Sequence, residues 1–262
     1  MSPSPDERDH RSAAVRALAD REYRTAGDEY ARAAWSGLAE PRPGESPFDP
    51  GEKGWVGTAL GHFVVGTVAY RVAGLPDRAT RRAVEGVAVA RDLRPAFDHP
   101  VQRACLSEVV ADFRAAGDLD GAADAYDEAA TAYEDAASAI DDSHYWTTTP
   151  LFEGVATPIQ QVARGGANGE IAVSWEELHG SDPDQPGAFL ASRVRYKRGR
   201  FGSLVAAAVE SSHLAAPRGT TEYDNRNHVC PNCGSTDVNW VADSVLCLRC
   251  SSPSEKRDAN GS

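Results

Sequence analysis

The sequence lacks any run of about 18 apolar residues, which is the length a helix needs to cross a bilayer. Its first residues, Met1-Ser-Pro-Ser-Pro-Asp-Glu-Arg, hold no apolar segment of the kind found in secretory signal peptides. A phosphate-binding glycine loop, a dinucleotide glycine motif, a nucleophile elbow and a His-Glu-x-x-His pair are also missing. We therefore expect a cytoplasmic protein that has no membrane span and is not an enzyme.

Lysine is nearly absent from the 262-residue chain. Lys53, Lys197 and Lys256 are the only lysines among 27 basic residues, while 39 acidic residues give a net charge of −12. This excess of acid, with many Asp and Ala residues and Arg in place of Lys, resembles proteins of salt-loving archaea. That resemblance implies that the acidity solvates the chain in a salty cytoplasm. In an ordinary cytoplasm the same charge opposes nonspecific binding to nucleic acids.

Cysteine is scarce, and four of the five cysteines form two pairs. Cys230-Pro-Asn-Cys233 is followed after thirteen residues by Cys247-Leu-Arg-Cys250. Four thiolates with this spacing suit tetrahedral Zn²⁺ and leave no open coordination position, which predicts a structural metal rather than a redox dithiol. The segment resembles the short-stranded zinc ribbons of transcription factors and ribosomal proteins. Cys105 lies in an apolar helical pattern and is expected in the core, and His228 is expected to be a linker residue or a hydrogen-bond donor behind the ligands.

Helical periodicity dominates residues 9–217. The best pattern, at 103–130, has two apolar helix faces separated by Ala116-Gly117-Asp118. A second pattern at 60–90 turns at Gly74-Leu75-Pro76-Asp77, and weaker ones lie at 10–35 and 188–217. These segments resemble tetratricopeptide repeats, which implies a mainly α fold of antiparallel helical hairpins followed by the small β zinc ribbon. The turns at 21, 74 and 117 are 53 and 43 residues apart, whereas tetratricopeptide repeats recur about every 34 residues.

Segments rich in polar residues, proline and glycine predict the limits of the domains. The predicted limits are disordered tails at 1–8 and 253–262, a helical domain at 9–217 with loops near 38–54 and 143–187, a linker at 218–227 and the zinc ribbon at 228–252. Within the loop at 143–187, helices are expected at 151–164 and at 174–179, where Ser174 and Glu177 have capping-box spacing.

Five basic residues stand out in so acidic a chain because they fall within eight positions and no acid separates them. Their guanidinium and ammonium groups can bind phosphate, a nucleic acid or an acidic partner. They can equally pair with the acidic helices of the same protein. The five residues are Arg193, Arg195, Lys197, Arg198 and Arg200.

Three functions remain open at this point. We expect first a non-catalytic adaptor that binds another protein, with Zn²⁺ as a structural cofactor. The main alternative is a nucleic-acid-associated or ribosome-associated factor that uses the ribbon and the basic cluster. A third is an enzyme whose site lies in 141–187, where Asp141, Asp142 and His144 are close in sequence. The sequence does not indicate an oligomeric state.

Overall fold

A computed structural model describes residues 5–39 and 54–257, and this part of the chain contains ten α-helices followed by five short β-strands. The mainly α fold with a C-terminal β module is thus confirmed. Within these ranges no helix has both the length and the apolar character for crossing a membrane. The proline-rich insertion at 41–51 lies outside the described residues. The helices are α1 (Pro5–Ala19), α2 (Tyr23–Ala39), α3 (Gly54–Val72), α4 (Pro76–Leu93), α5 (Pro100–Gly117), α6 (Ala122–Asp135), α7 (Ser143–Thr147), α8 (Pro150–Arg164), α9 (Trp175–Leu178) and α10 (Pro186–Glu210).

Consecutive helices from α1 to α6 pack against one another as helical hairpins. The turn between α3 and α4 follows from its residue types. Gly74 adopts a left-handed conformation with φ +71°, and Pro76 opens α4, where its missing N–H has no partner to lose. The hairpin predicted at 60–90 therefore has the turn that its sequence indicates.

The hairpin of α5 and α6 differs from the prediction in one detail. Asp118, rather than Gly117, takes the left-handed conformation after α5, with φ 58°. Gly117 is needed for packing, because a Cβ atom there would lie 2.2 Å from the Cβ of Ala83 on α4. Gly86 serves the same purpose, since its Cβ would lie 2.3 Å from the ring of Phe113. These two glycines let α4 and α5 approach closely.

Helices α8 and α10 complete the helical body by packing against α3 and against α5 and α6 respectively. The helices expected at 151–164 and 174–179 within the predicted loop are present as α8 and α9, and α7 is a further helix that was not expected there. The capping box of Ser174 and Glu177 forms at the start of α9. The hairpin predicted at 188–217 is wrong: α10 is one continuous helix of 25 residues. Gly199 does not break it, because an isolated glycine costs a helix only about 1 kcal/mol.

The β module is larger than the sequence predicted. The supposed linker at 218–227 contains β1, which pairs antiparallel with β3, and the supposed tail beyond 253 contains β5, which pairs with β2. At the other end of the chain, the predicted tail at 1–8 is helical from Pro5 onward. Residues 1–4 and 258–262 lie outside the described ranges. The strands are β1 (Thr220–Glu222), β2 (His228–Val229), β3 (Val238–Val241), β4 (Ser244–Cys247) and β5 (Glu255–Lys256).

The β module packs directly on the helical body. Val15 and Ala19 of α1 form a small apolar cluster with Ala216, Val241 and Leu246. The two modules therefore share a buried interface.

Close backbone contact reinforces this interface. Gly169, with φ +79°, has no room for a side chain, because a Cβ atom there would lie 1.7 Å from the carbonyl oxygen of Leu248. The buried Ser251 hydroxyl accepts a hydrogen bond of 3.0 Å from the Ala216 amide. The β module is thus fixed to the helices by backbone as well as side-chain contacts.

Candidate metal centre and buried ion cluster

The two Cys-x-x-Cys segments fold into turns of the same design. In the first, the Gly234 amide donates to the Cys230 carbonyl, and Gly234 has φ +73°. In the second, the Ser251 amide donates to the Cys247 carbonyl, and Ser251 has φ 60°. Each turn places its two thiols on the same side, and the pairing of β3 with β4 brings the two turns, and thus the four thiols, together.

The four sulfur atoms lie within 4.8 Å of one another. The Sγ atoms of Cys230 and Cys250 are 3.5 Å apart, those of Cys233 and Cys247 are 3.5 Å apart, and Cys233 and Cys250 are 3.6 Å apart. A tetrahedron with metal–sulfur bonds of about 2.3 Å has edges of about 3.8 Å. The donor set therefore fits one tetrahedral thiophilic ion, and all four predicted ligands are in place.

The thiols of the centre differ in acidity. Burial raises the pKa of Cys230 and, to a greater extent, that of Cys247. Burial also acts on Cys250, but hydrogen bonds from Ser252 and Asn232 outweigh it and lower the pKa of that thiol to about 6. Because a metal binds thiolates, loading the centre must release protons from the thiols of higher pKa.

Charged groups join the metal centre to the helical body. Arg249, which precedes the last cysteine, forms ion pairs with Asp237 in the β module and with Glu170 in the turn after α8. Arg218 also pairs with Glu170. In the same region Arg164 is 3% exposed and donates to the carbonyls of Gly169 and Ala216. The position of the β module on the helical body is therefore fixed by several polar contacts.

The predicted basic cluster on α10 does not form one exposed patch. Arg193 and Lys197 are fully buried, so they are not accessible to phosphate. Arg195 pairs with Glu134 and Arg198 pairs with Asp127, both on α6. Arg200 lies 5.6 Å over the ring of Tyr196. Four of the five residues thus form ion pairs with acidic residues of the helical body itself, two of them buried and two at its surface, as one of the two interpretations of the sequence proposed.

The two buried cations belong to an ion cluster between α5, α6 and α10. Arg193 donates from Nε and Nη2 to the two carboxylate oxygens of Glu108, both at 2.7 Å. Lys197 Nζ lies 2.6 Å from Asp112 and 2.8 Å from Glu108. Two cations therefore balance two anions in a solvent-free site, and buried charges require such pairing.

Tyrosines of α6 and neighbouring carbonyls satisfy the remaining positions of the cluster. Tyr126 donates to Asp112 at 2.7 Å, and Tyr133 donates to Glu108 at 3.0 Å. Arg193 also donates to the carbonyl of Phe152. Burial opposes ionisation of Glu108, but the stronger effect of Arg193 and Lys197 lowers its pKa to about 2. Sequence reasoning missed this cluster, although Glu108 and Asp112 on α5 have the same four-residue spacing as the two cations.

Other candidate residues have structural contacts. Cys105 is buried beside the ion cluster, where burial raises its pKa to about 11, and its expected place in the core is confirmed. Asp142 caps α7 by accepting from the amides of His144 and Tyr145. The ring of His144 stacks on Trp175 at 6.0 Å.

His228 is 7% exposed and lies outside the cluster of four sulfurs. Its ring packs edge to face on Trp240, and its Nδ1 lies 3.2 Å from the side-chain oxygen of Asn225. That oxygen also accepts from the His228 amide. His228 therefore supports the fold of the β module rather than extending the donor set.

No protein-family model, curated protein or solved structure matches this chain. The resemblances to tetratricopeptide repeats and to proteins of salt-loving archaea remain predictions from the sequence.

Proposed function

We propose that the protein is a non-catalytic adaptor that binds another protein, and that Zn²⁺ bound by Cys230, Cys233, Cys247 and Cys250 maintains its C-terminal module. The observation that carries the metal part of this proposal is the group of four sulfurs within 4.8 Å. Four thiolates fill a tetrahedral shell, so they favour a structural ion over a catalytic one. Free thiols at all five cysteines favour a reducing compartment, and we propose the cytoplasm.

Exposed aromatic side chains on both modules support a protein partner. Tyr145 on α7 is 54% exposed and Trp175 on α9 is 44% exposed, and the ring of His144 stacks on Trp175. The β module exposes Tyr223 and Trp240. Tyrosine and tryptophan are enriched at protein interfaces because they bury much apolar area and retain a polar group. We name Tyr145 and Trp175 together the aromatic face and propose that they form the main contact.

The charge of the β module favours a protein partner over a nucleic acid. Residues 218–257 contain five basic residues (218, 226, 249, 256 and 257) and five acidic ones (222, 224, 237, 243 and 255), which cancel. A Zn²⁺ ion with four thiolates adds a charge of about −2. A surface of this charge gains little from contact with phosphate, which nucleic-acid binding depends on.

Affinity capture with purified zinc-loaded protein tests the adaptor function. We expect one partner protein at constant stoichiometry that survives nuclease treatment and is lost with Tyr145→Ser. The matched control is Val84→Ser on α4, because Val84 is also 54% exposed. Partners that disappear with nuclease would establish the nucleic-acid alternative instead. Equal capture by the two variants would refute the aromatic face as the contact.

A further inference from the structure

A small cavity lies where α1, α2, α3 and α8 meet the segment that leads into the β module. Its volume is about 70 Å³. Gly61 of α3 and Gly154 of α8 form part of its wall. The two helices pack closely there, because a Cβ atom on Gly61 would lie 3.0 Å from the Gly154 carbonyl oxygen.

Most of the cavity wall is apolar, but four longer polar side chains reach it. Arg11 enters from α1, Tyr30 from α2, His62 from α3 and Gln161 from α8. Gln161 Nε2 donates to the Ala215 carbonyl at 2.9 Å and lies 3.5 Å from the Tyr30 hydroxyl. The Tyr30 hydroxyl then retains its own proton for donation.

Two of the lining groups have no protein partner. Nδ1 of His62 is buried and forms no hydrogen bond within residues 5–39 and 54–257. Arg11 is partly buried, and in the same part of the chain no hydrogen bond or ion pair involves its guanidinium group. Four of the five basic residues on α10, by comparison, have acidic partners. A buried polar atom without a partner is destabilising, so a native structure that retains one points to a ligand or an ordered water.

We infer that this cavity binds a carboxylate group through Arg11, His62 and Tyr30. The guanidinium group presents paired N–H donors that match the two oxygens of a carboxylate. Tyr30 offers a further donor, as does the orphan Nδ1 of His62 in the tautomer that carries its proton on this nitrogen, and Thr58 and Thr157 line the same space. A dry cavity of about 150 Å³ holds one benzene molecule. This cavity has about half that volume, so its size favours a group of about three or four heavy atoms. Inorganic phosphate, with five heavy atoms arranged as a tetrahedron, fits this volume less well.

Electrostatics agree with an anionic ligand. Burial, and secondly the charge of Arg11, lower the pKa of His62 to about 3, so its ring is neutral near pH 7. Arg11 is therefore the only charged group among the described residues that line the cavity. A bound carboxylate neutralises this charge and accepts hydrogen bonds from the guanidinium group of Arg11 and from the Tyr30 hydroxyl. A water molecule satisfies the hydrogen bonds but supplies no negative charge to pair with Arg11.

Titration of the whole protein with sodium acetate tests this inference, with the ring resonances of His62 followed by NMR. We expect a saturable shift of His62 with a dissociation constant at or below the millimolar range, as expected for so small a ligand. Arg11→Met should weaken binding at least tenfold. Arg16→Met is the matched control because Arg16 lies exposed on the same helix, and it should bind acetate like the wild type.

Titrations with chloride and inorganic phosphate at equal ionic strength complete the test. Weaker binding of both anions is expected from the size and shape of the cavity. Tighter binding of either one overturns the assignment to a carboxylate. The absence of saturation by acetate up to about 10 mM would mean that the cavity holds only water, and the inference would then fail. The wild-type titration gives this answer even if the Arg11 variant does not fold.

Discussion

Replacing Arg193 by methionine should destabilise the protein by about 3–5 kcal/mol, the cost of removing one partner of a buried ion pair. The change deletes two hydrogen bonds to Glu108 and one to the Phe152 carbonyl. It leaves two buried carboxylates with a single cation, Lys197. Methionine retains most of the side-chain length, so a cavity should contribute little to the loss.

Urea unfolding of the zinc-loaded protein, followed by helical circular dichroism, measures the effect. Arg195→Met is the control, because Arg195 lies on the same helix but is about half exposed in its pair with Glu134, and it should cost less than about 1 kcal/mol. The double variant Arg193→Met with Glu108→Gln should recover much of the stability by removing the uncompensated charge.

The penalty should also depend on pH. The folded-state pKa of Glu108 is lowered from 4.5 to about 2, so its stabilising contribution is present above pH 4.5 and is lost as the pH falls toward 2. The difference between wild type and Arg193→Met should shrink across that window. Equal costs for Arg193→Met and Arg195→Met would refute the assignment of Arg193 to a buried ion cluster.

Two further predictions concern the docking of the β module and the buried histidine. Ser251→Ala should lower the free energy of unfolding by about 1–3 kcal/mol, because it leaves the buried Ala216 amide without an acceptor. Hydrogen exchange at the Ala216 amide should then become faster, and an unchanged exchange rate would contradict the contact. His62 has its pKa lowered from 6.5 to about 3, so the unfolded chain binds a proton between those values that the folded chain does not. Stability should therefore fall as the pH drops from 6.5, by about 1.4 kcal/mol per unit, and urea unfolding of His62→Asn should lack this part of the pH dependence. An identical slope in the variant would show that His62 is not held neutral.

The metal centre and the hairpin turns were predictable because local residue types determine them. Spacing alone identified the four cysteines, and Gly74 with Pro76 indicated a turn that needs no distant contact. The limits of the β module were missed because β1 and β5 have three and two residues, too few for a recognisable alternation of apolar and polar positions. Their pairing depends on partners elsewhere in the chain.

The ion cluster shows where local reasoning ends. Arg193 and Lys197 read as an exposed basic cluster because their neighbours in sequence are charged. Their acidic partners, Glu108 and Asp112, are each 85 residues away. Only the packing of α10 against α5 brings these groups together, and no spacing rule within one helix reveals it.

The metal content of the purified protein tests the central claim most directly. We predict about one zinc ion per chain, the content of a single site with four cysteine ligands. Cys230→Ser and Cys247→Ser should each lower that content, whereas Cys105→Ser should leave it unchanged, because Cys105 lies in the helical core. A zinc content well below one per chain, or equal zinc in all three variants, would contradict a metal centre formed by the four C-terminal cysteines.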